Sequence, residues 1–204
     1  MKAWRTFRED IRRYLKPEDH TRARAYLRAL YENEALWAIG SFRFGQYLQE
    51  EAPRPVRRVL KLPWSLANRA VGLLLGIHLS PQSQIGPGLY IGHHGGIWIS
   101  PLARIGAGCN INHEVTIGTF GDRDGPELGD RVWVGPNSTI SGPVKVSSGA
   151  VIGANSLVTA NLAENAVAVG VPAKVISHSG SAHLLQGRRL EDVKRLEPAA
   201  QSGA

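Results

Sequence analysis

The sequence predicts a mainly β protein with an α-helical N-terminal region. Three observations predict this class: an aliphatic residue that recurs at every sixth position, a small residue directly after most of these aliphatics, and a basic N-terminal part with helical spacing. Of the 204 residues, 43% are hydrophobic and 20% are charged, which is typical of folded globular chains. The length suits one domain, or one domain with an appendage.

Positive charge is concentrated in the N-terminal region, residues 1–80, which has 15 Lys and Arg against 8 Asp and Glu. The rest of the chain has 9 of each. A basic region can meet nucleic acid or an anionic lipid surface, but these arginines are interleaved with acidic residues, as on a solvated helix face. No nucleic-acid recognition motif accompanies the charge, so we expect no nucleic acid partner and keep a peripheral membrane contact as an alternative.

The spacing of the N-terminal region is that of helices. Apolar residues over 26–42 recur three or four positions apart, and a second segment over 56–75 mixes arginines with leucines. Pro53 and Pro55 mark a break between the two segments, because proline does not continue a helix interior. The second segment either packs on the body of the protein or lies on a membrane surface, and packing is the commoner arrangement.

The remainder of the chain is built on a six-residue repeat. An aliphatic residue returns at every sixth position, with two extra residues after Ile97 and five after Ile117, and the next residue is usually small. The thirteen register positions are Ile85, Ile91, Ile97, Ile99, Ile105, Ile111, Ile117, Leu128, Val134, Ile140, Val146, Ile152 and Val158.

This period fits neither one helix face nor an alternating strand. It is typical of a β-helix, in which each hexad forms one flat side and a corner, with the aliphatic residue facing inward. Three hexads complete a triangular coil of about 18 residues, so the count predicts roughly four coils whose strands stack about 4.8 Å apart. We expect a helical region over 1–80, a β-helix over 81–176, and a tail over 177–204 with a short helix at 187–197.

Positions that are one coil apart fall in one column at the same corner. His93 lies two residues after Ile91, and adding one coil and the two extra residues reaches His113, two after Ile111. The same arithmetic continues to Pro136 and Ala154. The repeat therefore predicts that His93 and His113 lie within side-chain reach of each other, above two small residues.

The five-residue excess after Ile117 predicts a protruding loop over 119–127 that carries Asp122, Arg123 and Asp124. Loops that interrupt a regular scaffold are places where function concentrates. Since this loop lies between His113 and Pro136 in the chain, we expect it to emerge close to the histidine column.

Several segments of the repeat resemble the hexapeptide-repeat acyltransferases, in particular the serine acetyltransferase branch. They are Ile85–Leu89 followed by His93, Val115–Gly118, and the closing Gly170–Ile176 with the letters GVPAKVI. The resemblance covers residues 76–176. It implies a left-handed parallel β-helix that works as a homotrimer or a dimer of trimers, acetyl-CoA as co-substrate, and no metal.

The resemblance also implies roles for individual residues. His93 corresponds to the catalytic base, since imidazole titrates near neutral pH and can take a hydroxyl proton, and His113 is a catalytic candidate beside it. The loop residues Asp122, Arg123 and Asp124 are candidates for binding the acceptor. Candidates for binding acetyl-CoA are Gly118, Thr119, Pro136, Ala154 and Lys174.

The sequence departs from the serine enzymes at three positions. Gly92 stands where the family has an acid before the catalytic histidine, His78 aligns with an upstream family acid, and Asp124 stands where the family has a second histidine. The carboxylate that orients His93 would then come from Asp122, Asp124, Glu114 or a neighbouring subunit. The run Gly92–Ile97 is more similar to relatives that acetylate sugars, so a saccharide or polysaccharide precursor is the expected acceptor, with serine as the alternative.

Two other functions are kept as alternatives. A zinc carbonic anhydrase on the same fold needs three converging histidines, whereas the candidates are a His-His pair and His113, and a non-catalytic assembly module needs no active site. His94 is expected to be structural, against Trp98. Cys109 is expected to be a small core residue, because its position faces inward. With one cysteine and no secretory signal pattern, the chain is expected in the cytoplasm.

Overall fold

The computed structural model describes residues 2–119 and 124–185. The described chain begins with four α-helices and one short 3₁₀ turn at Pro17–Asp19. The helices are α1 (Lys2–Arg12), α2 (Ala23–Glu32), α3 (Ala35–Glu50) and α4 (Arg54–Leu75).

Helices α2, α3 and α4 account for the two helical segments of the sequence, and α1 lies before both of them. The first segment divides into α2 and α3 at Asn33–Glu34, a break that the apolar spacing does not reveal. Pro53 precedes α4, and Pro55 lies in its first turn, where the missing proline N–H costs nothing. Gly76 ends α4 in the left-handed conformation, with φ of 63°.

Within the described residues, fifteen short strands follow and wind into a parallel β-helix. They are β1 (Ile77–Leu79), β2 (Gln84–Ile85), β3 (Tyr90–Ile91), β4 (Ile97–Ile99), β5 (Arg104–Ile105), β6 (Asn110–Ile111), β7 (Thr116–Gly118), β8 (Glu127–Leu128), β9 (Trp133–Val134), β10 (Thr139–Ser141), β11 (Lys145–Val146), β12 (Val151–Ile152), β13 (Leu157–Val158), β14 (Val167–Val169) and β15 (Lys174–Ser177).

Up to β13, every third strand belongs to the same side of the coil, and β14 and β15 both extend the six-stranded sheet. The five-stranded sheet has the order β1-β4-β7-β10-β13, the four-stranded sheet β11-β8-β5-β2, and the six-stranded sheet β15-β14-β12-β9-β6-β3. All pairings are parallel except that of the last strand, β15, which returns antiparallel to β14. The architecture is a left-handed β-helix of about four turns with N-terminal helices, which confirms the predicted fold class.

The inward positions of the coil are those that the six-residue period predicts. All thirteen register aliphatics are at most 6% exposed and form one continuous core. Cys109 is fully buried among them, which confirms the expected core position. Because each inward side chain packs against the coils above and below, the repeat supplies most of the hydrophobic burial.

The two extra residues of the first coil lie elsewhere than the period suggests. Ile91 pairs with Ile111, and Trp98 pairs with Thr116. The chain therefore advances seven residues between these two pairs on the first coil and five residues on the second. The insertion therefore lies in the corner before Ile97, not after it. Both Ile97 and Ile99 face inward on either side of Trp98, and for that reason the sequence pattern alone could not place the insertion.

The helices dock on the first coils through buried polar contacts. Arg43 of α3 forms an ion pair of 2.8 Å with Asp10 of α1, and it also donates hydrogen bonds to the carbonyls of Ile85 and Gly86, both at 2.7 Å. The hydroxyl of Tyr14 accepts from the N–H of Ile91 at 2.9 Å and donates to the Ile91 carbonyl at 3.1 Å. The helical region is thus held against the edge where the coil begins.

The described part of the chain has no helix that is both long and apolar enough to cross a membrane. The short helix expected at 187–197 lies outside the described residues.

Candidate active site

Two histidines meet at one corner of the β-helix, between the six-stranded and the five-stranded sheets. His93 follows β3 and His113 follows β6. Because Ile91 pairs with Ile111, the two histidines occupy the same position on successive coils. Their ring centroids are 5.8 Å apart, and the rings are tilted by 68° in an edge-to-face arrangement. The predicted neighbourhood of the two imidazoles is confirmed.

The two imidazoles differ in their surroundings. His93 is exposed, whereas His113 is half-buried and its Nδ1 atom is buried without a hydrogen-bond partner in the described chain. A buried polar atom without a partner is costly and is often found at a functional site. The corner also contains the inserted residues Gly95 and Gly96, both with positive φ.

The candidate carboxylates contact neither imidazole in the described residues. Glu114 follows His113, but its side chain lies over Gly96, where an added Cβ would meet Glu114 Cγ at 2.9 Å. Its backbone N–H donates to the Gly95 carbonyl at 2.8 Å and closes the corner. Within one chain, no described carboxylate takes the orienting role expected for the partner of His93.

His94 and His78 have partners other than those expected. His94 Nδ1 lies 3.1 Å from Glu34 Oε2, so His94 connects the corner to the start of α3 and does not lie against Trp98. The ring beside Trp98 is that of His78, at a centroid distance of 4.8 Å. Register explains this contact, since His78 of β1 and Trp98 of β4 are paired neighbours on the outer face of the five-stranded sheet.

Below the histidines, the corner column consists of small residues. The pairing of Val134 with Ile111 and Ile152 puts Pro136 and Ala154 directly beneath His113, as the repeat predicts. Lys174 begins β15, pairs with Val169 and is exposed near the lower end of the same sheet. The column thus forms a smooth strip that begins at the histidines and ends near one lysine.

The predicted loop leaves the coil at a different corner. It connects β7 of the five-stranded sheet with β8 of the four-stranded sheet, whereas the histidines lie between the six-stranded and five-stranded sheets. The expectation that the loop emerges close to the histidine column is therefore wrong for a single chain. His113 and Gly118 lie at opposite ends of one side of the triangle, which is about 15 Å of extended chain. Gly118 and Thr119 therefore lie at the corner of the loop and not at the corner of the histidines.

Of the loop residues, Asp124 is described, and Asp122 and Arg123 lie outside the described residues. Asp124 is exposed in a recess of about 280 Å³ that Leu102, Arg104 and Lys145 also line. Within one chain, the expected acceptor-binding residue Asp124 is thus separated from both histidines.

The described residues contain no group of three or more His, Cys, Asp or Glu side chains arranged to hold a metal ion. The zinc alternative needs three converging histidines, and within the described residues the corner brings together His93 and His113.

The stacked coils of the six-residue repeat give this chain the left-handed β-helix fold. A family model described as "Bacterial transferase hexapeptide (six repeats)" matches residues 125–160. Among individual proteins, the chain is similar to the serine acetyltransferase of Mycobacterium tuberculosis, with 31% identity over 145 residues that cover 70% of this chain and 60% of that protein. The resemblance to the serine acetyltransferase branch is confirmed.

Solved structures of serine acetyltransferases are also similar to this chain. The Neisseria gonorrhoeae serine acetyltransferase in complex with serine has a TM-score of 0.71 at 25% identity, covering 86% of this chain and 69% of that one. A serine acetyltransferase in complex with CoA has a TM-score of 0.70 at 27% identity, covering 86% and 70%. The chain spans 42% to 66% of the length of the first three curated relatives that it matches.

Proposed function

We propose that this protein is an acetyl-CoA-dependent O-acetyltransferase in which His93 is the general base. The observation that carries the proposal is the edge-to-face pair of His93 and His113 at the top of the small-residue column. It is supported by the similarity to proteins named serine acetyltransferase, one of them solved with CoA.

The reaction needs one proton acceptor beside the attacking hydroxyl. As the hydroxyl oxygen bonds to the thioester carbon, an imidazole nitrogen of His93 takes the hydroxyl proton. The tetrahedral intermediate collapses with loss of the CoA thiolate, to which the imidazolium returns the proton, so that an acetyl ester and CoA thiol are formed. His93 is exposed and so accessible to both substrates.

His113 supports His93 from the next coil. Its Nδ1 has no partner among the described groups, so the imidazole is not committed to a structural hydrogen bond at that atom. Packed edge-to-face against His93, it limits the orientations of the catalytic ring.

The small-residue column provides the place for the pantetheine arm of acetyl-CoA. Pro136 and Ala154 have no long side chains to block an extended arm along the corner. Lys174, exposed near the lower end, supplies a positive charge for the nucleotide phosphates.

The site is completed by a second copy of the chain in a homotrimer. The histidine corner and the loop corner are one triangle side apart within a chain. A three-fold arrangement that brings the loop corner of one copy beside the histidine corner of the next would unite His93 with Asp124, Gly118 and Thr119. It would also let Asp122 or Asp124 of the loop supply the missing carboxylate and Arg123 contact the acceptor.

Serine is the preferred acceptor in this proposal. The similar protein of Mycobacterium tuberculosis is named serine acetyltransferase, and a structural neighbour is solved with serine. The saccharide expected from Gly92–Ile97 has no such support from the comparisons, so serine replaces it as the first acceptor to test.

The test is release of CoA thiol from acetyl-CoA in the presence of L-serine or of amino and neutral sugars. We expect turnover with serine, and we expect His93→Ala to lower kcat/KM about 100-fold or more. His178→Ala removes an exposed histidine of the C-terminal part and is the matched control. His113→Gln is expected to lower kcat with little change in KM for acetyl-CoA.

The outcomes separate the candidate functions. Turnover with sugars but not with serine would reverse the order of the two acceptors. Failure to bind acetyl-CoA, together with inactivity on every alcohol, would favour the non-catalytic assembly module. An unchanged rate in His93→Ala would remove that residue as the base.

A further inference from the structure

Helix α4 contacts the rest of the protein along one side. Trp64 donates its indole N–H to the Ser41 carbonyl at 2.9 Å, and the Ser41 hydroxyl donates to Asn68 at 2.8 Å. One turn later, an added Cβ at Gly72 would lie 3.0 Å from the ring of His78. Positions 64, 68 and 72 are four apart, so they mark the inner face of the helix.

The opposite side of α4 is an apolar stripe that faces solvent. Val59, Leu62, Leu66 and Leu73 follow one another at intervals of three, four and seven residues, which puts them on one face. They are 69%, 68%, 62% and 82% exposed, respectively. The stripe is about 21 Å long at 1.5 Å per residue. On a surface helix this face is normally polar, so its exposure indicates a partner.

The charge of α4 indicates what kind of partner fits. Within its 22 residues the helix has no Asp or Glu. Its cations form no ion pair with any residue in the described ranges. These cations are Arg54, Arg57, Arg58, Lys61 and Arg69.

The positions of the cations suit an interface helix. Arg58 and Arg69 lie on one flank of the stripe, at about 70° and 50° from its centre by the helical period. A long apolar face flanked by arginines is the pattern of a helix that lies in the plane of a membrane surface, its leucines among the upper acyl chains and its cations at the headgroups. Two copies of α4 placed face to face would instead bring ten positive charges together (five plus five) with no acid of either helix to compensate.

We propose that α4 docks on an anionic lipid surface through this stripe, as a peripheral contact. The docking is independent of acyl transfer, since none of the stripe residues belongs to the histidine corner or the small-residue column. It would hold the first coils of the β-helix at a membrane surface.

The test is co-sedimentation of the full chain with vesicles. One set is phosphatidylcholine alone, and the other contains about one third phosphatidylglycerol. We expect binding to the anionic vesicles that weakens as salt is raised, and little binding to the neutral ones. Leu62→Ser/Leu66→Ser is expected to weaken binding at least 10-fold, and Arg58→Gln/Arg69→Gln about 30-fold.

The matched control is Val175→Ser/Ile176→Ser, which removes two exposed apolar residues from β15 at the far end of the β-helix. It should bind like the unaltered chain. Equal binding to neutral and anionic vesicles, or no binding to either, would overturn the proposal. So would a Leu62→Ser/Leu66→Ser variant that binds vesicles normally but forms a smaller particle in light scattering, because the stripe would then be an interface between copies of the chain.

Discussion

Replacing Arg43 with methionine is expected to destabilise the protein strongly. Arg43 is 2% exposed and Asp10 is fully buried, and their ion pair is the main polar connection between α1 and α3. In Arg43→Met the Asp10 carboxylate keeps the N–H of Leu89, at 2.9 Å, but loses the guanidinium. The carbonyls of Ile85 and Gly86 lose the same donor.

The magnitude follows from the cost of an uncompensated buried charge. Removing one partner of a buried ion pair costs about 3–5 kcal/mol, a large part of a total stability of about 5–15 kcal/mol. With a urea dependence of about 2 kcal/mol/M, the unfolding midpoint should fall by roughly 2 M. The double variant Asp10→Leu/Arg43→Met leaves no charge behind, so it should recover part of the loss.

The pH dependence of the Arg43→Met variant has a definite sign. Burial raises the pKa of Asp10, and Arg43 is the main group that opposes this. Without Arg43, the folded pKa of this carboxyl lies further above its unfolded value. A carboxyl whose pKa is higher in the folded than in the unfolded chain binds its proton more tightly when folded, so the free energy of unfolding decreases as pH rises through these pKa values. The stability deficit relative to the unaltered chain should therefore be small near pH 4 and grow towards pH 7.

The measurement is urea unfolding followed by far-ultraviolet circular dichroism at pH 4 and pH 7. Arg28→Met is the control, because it breaks the ion pair with Glu32, whose two side chains are largely exposed, and should leave the midpoint unchanged. If Arg43→Met unfolds within about 1 kcal/mol of the unaltered chain at pH 7, the buried pair does not hold the helices on the β-helix.

Two further predictions concern the interior of the coil. Burial raises the pKa of Cys109 to about 12. Its thiol should therefore not react with Ellman's reagent in the folded chain at pH 8, and it should react fully in denaturant. Rapid labelling of the folded chain would contradict the burial of this thiol. Gly106→Ala should cost about 1–3 kcal/mol in urea unfolding, since the new Cβ would lie 2.5 Å from the backbone carbon of Gly129 in the next coil. Gly118→Ala, whose Cβ would first meet a side-chain methyl at 3.6 Å, is the stability control, and an equal loss in both variants would show that coil contact is not the cause.

The sequence alone predicted the β-helix and the meeting of its two histidines. Each coil must bury one aliphatic side chain per side, so Ile91 and Ile111 carry the register in the sequence itself. Once the register is known, His93 and His113 can only fall at the same corner. The same count put Pro136 and Ala154 beneath them, with no knowledge of any contact.

Only the tertiary structure decided what surrounds that corner. It put the two inserted residues beside His93, paired His94 with Glu34, and separated the loop of Asp124 from the histidines by one side of the triangle. The period determines the place of a residue along its own coil, but it does not determine which side chain packs on the coil from outside. The contact between Arg43 and Ile85 joins a helix to a coil of the β-helix. The six-residue repeat of the coils carries no information on where a helix docks, so the sequence pattern could not predict this contact.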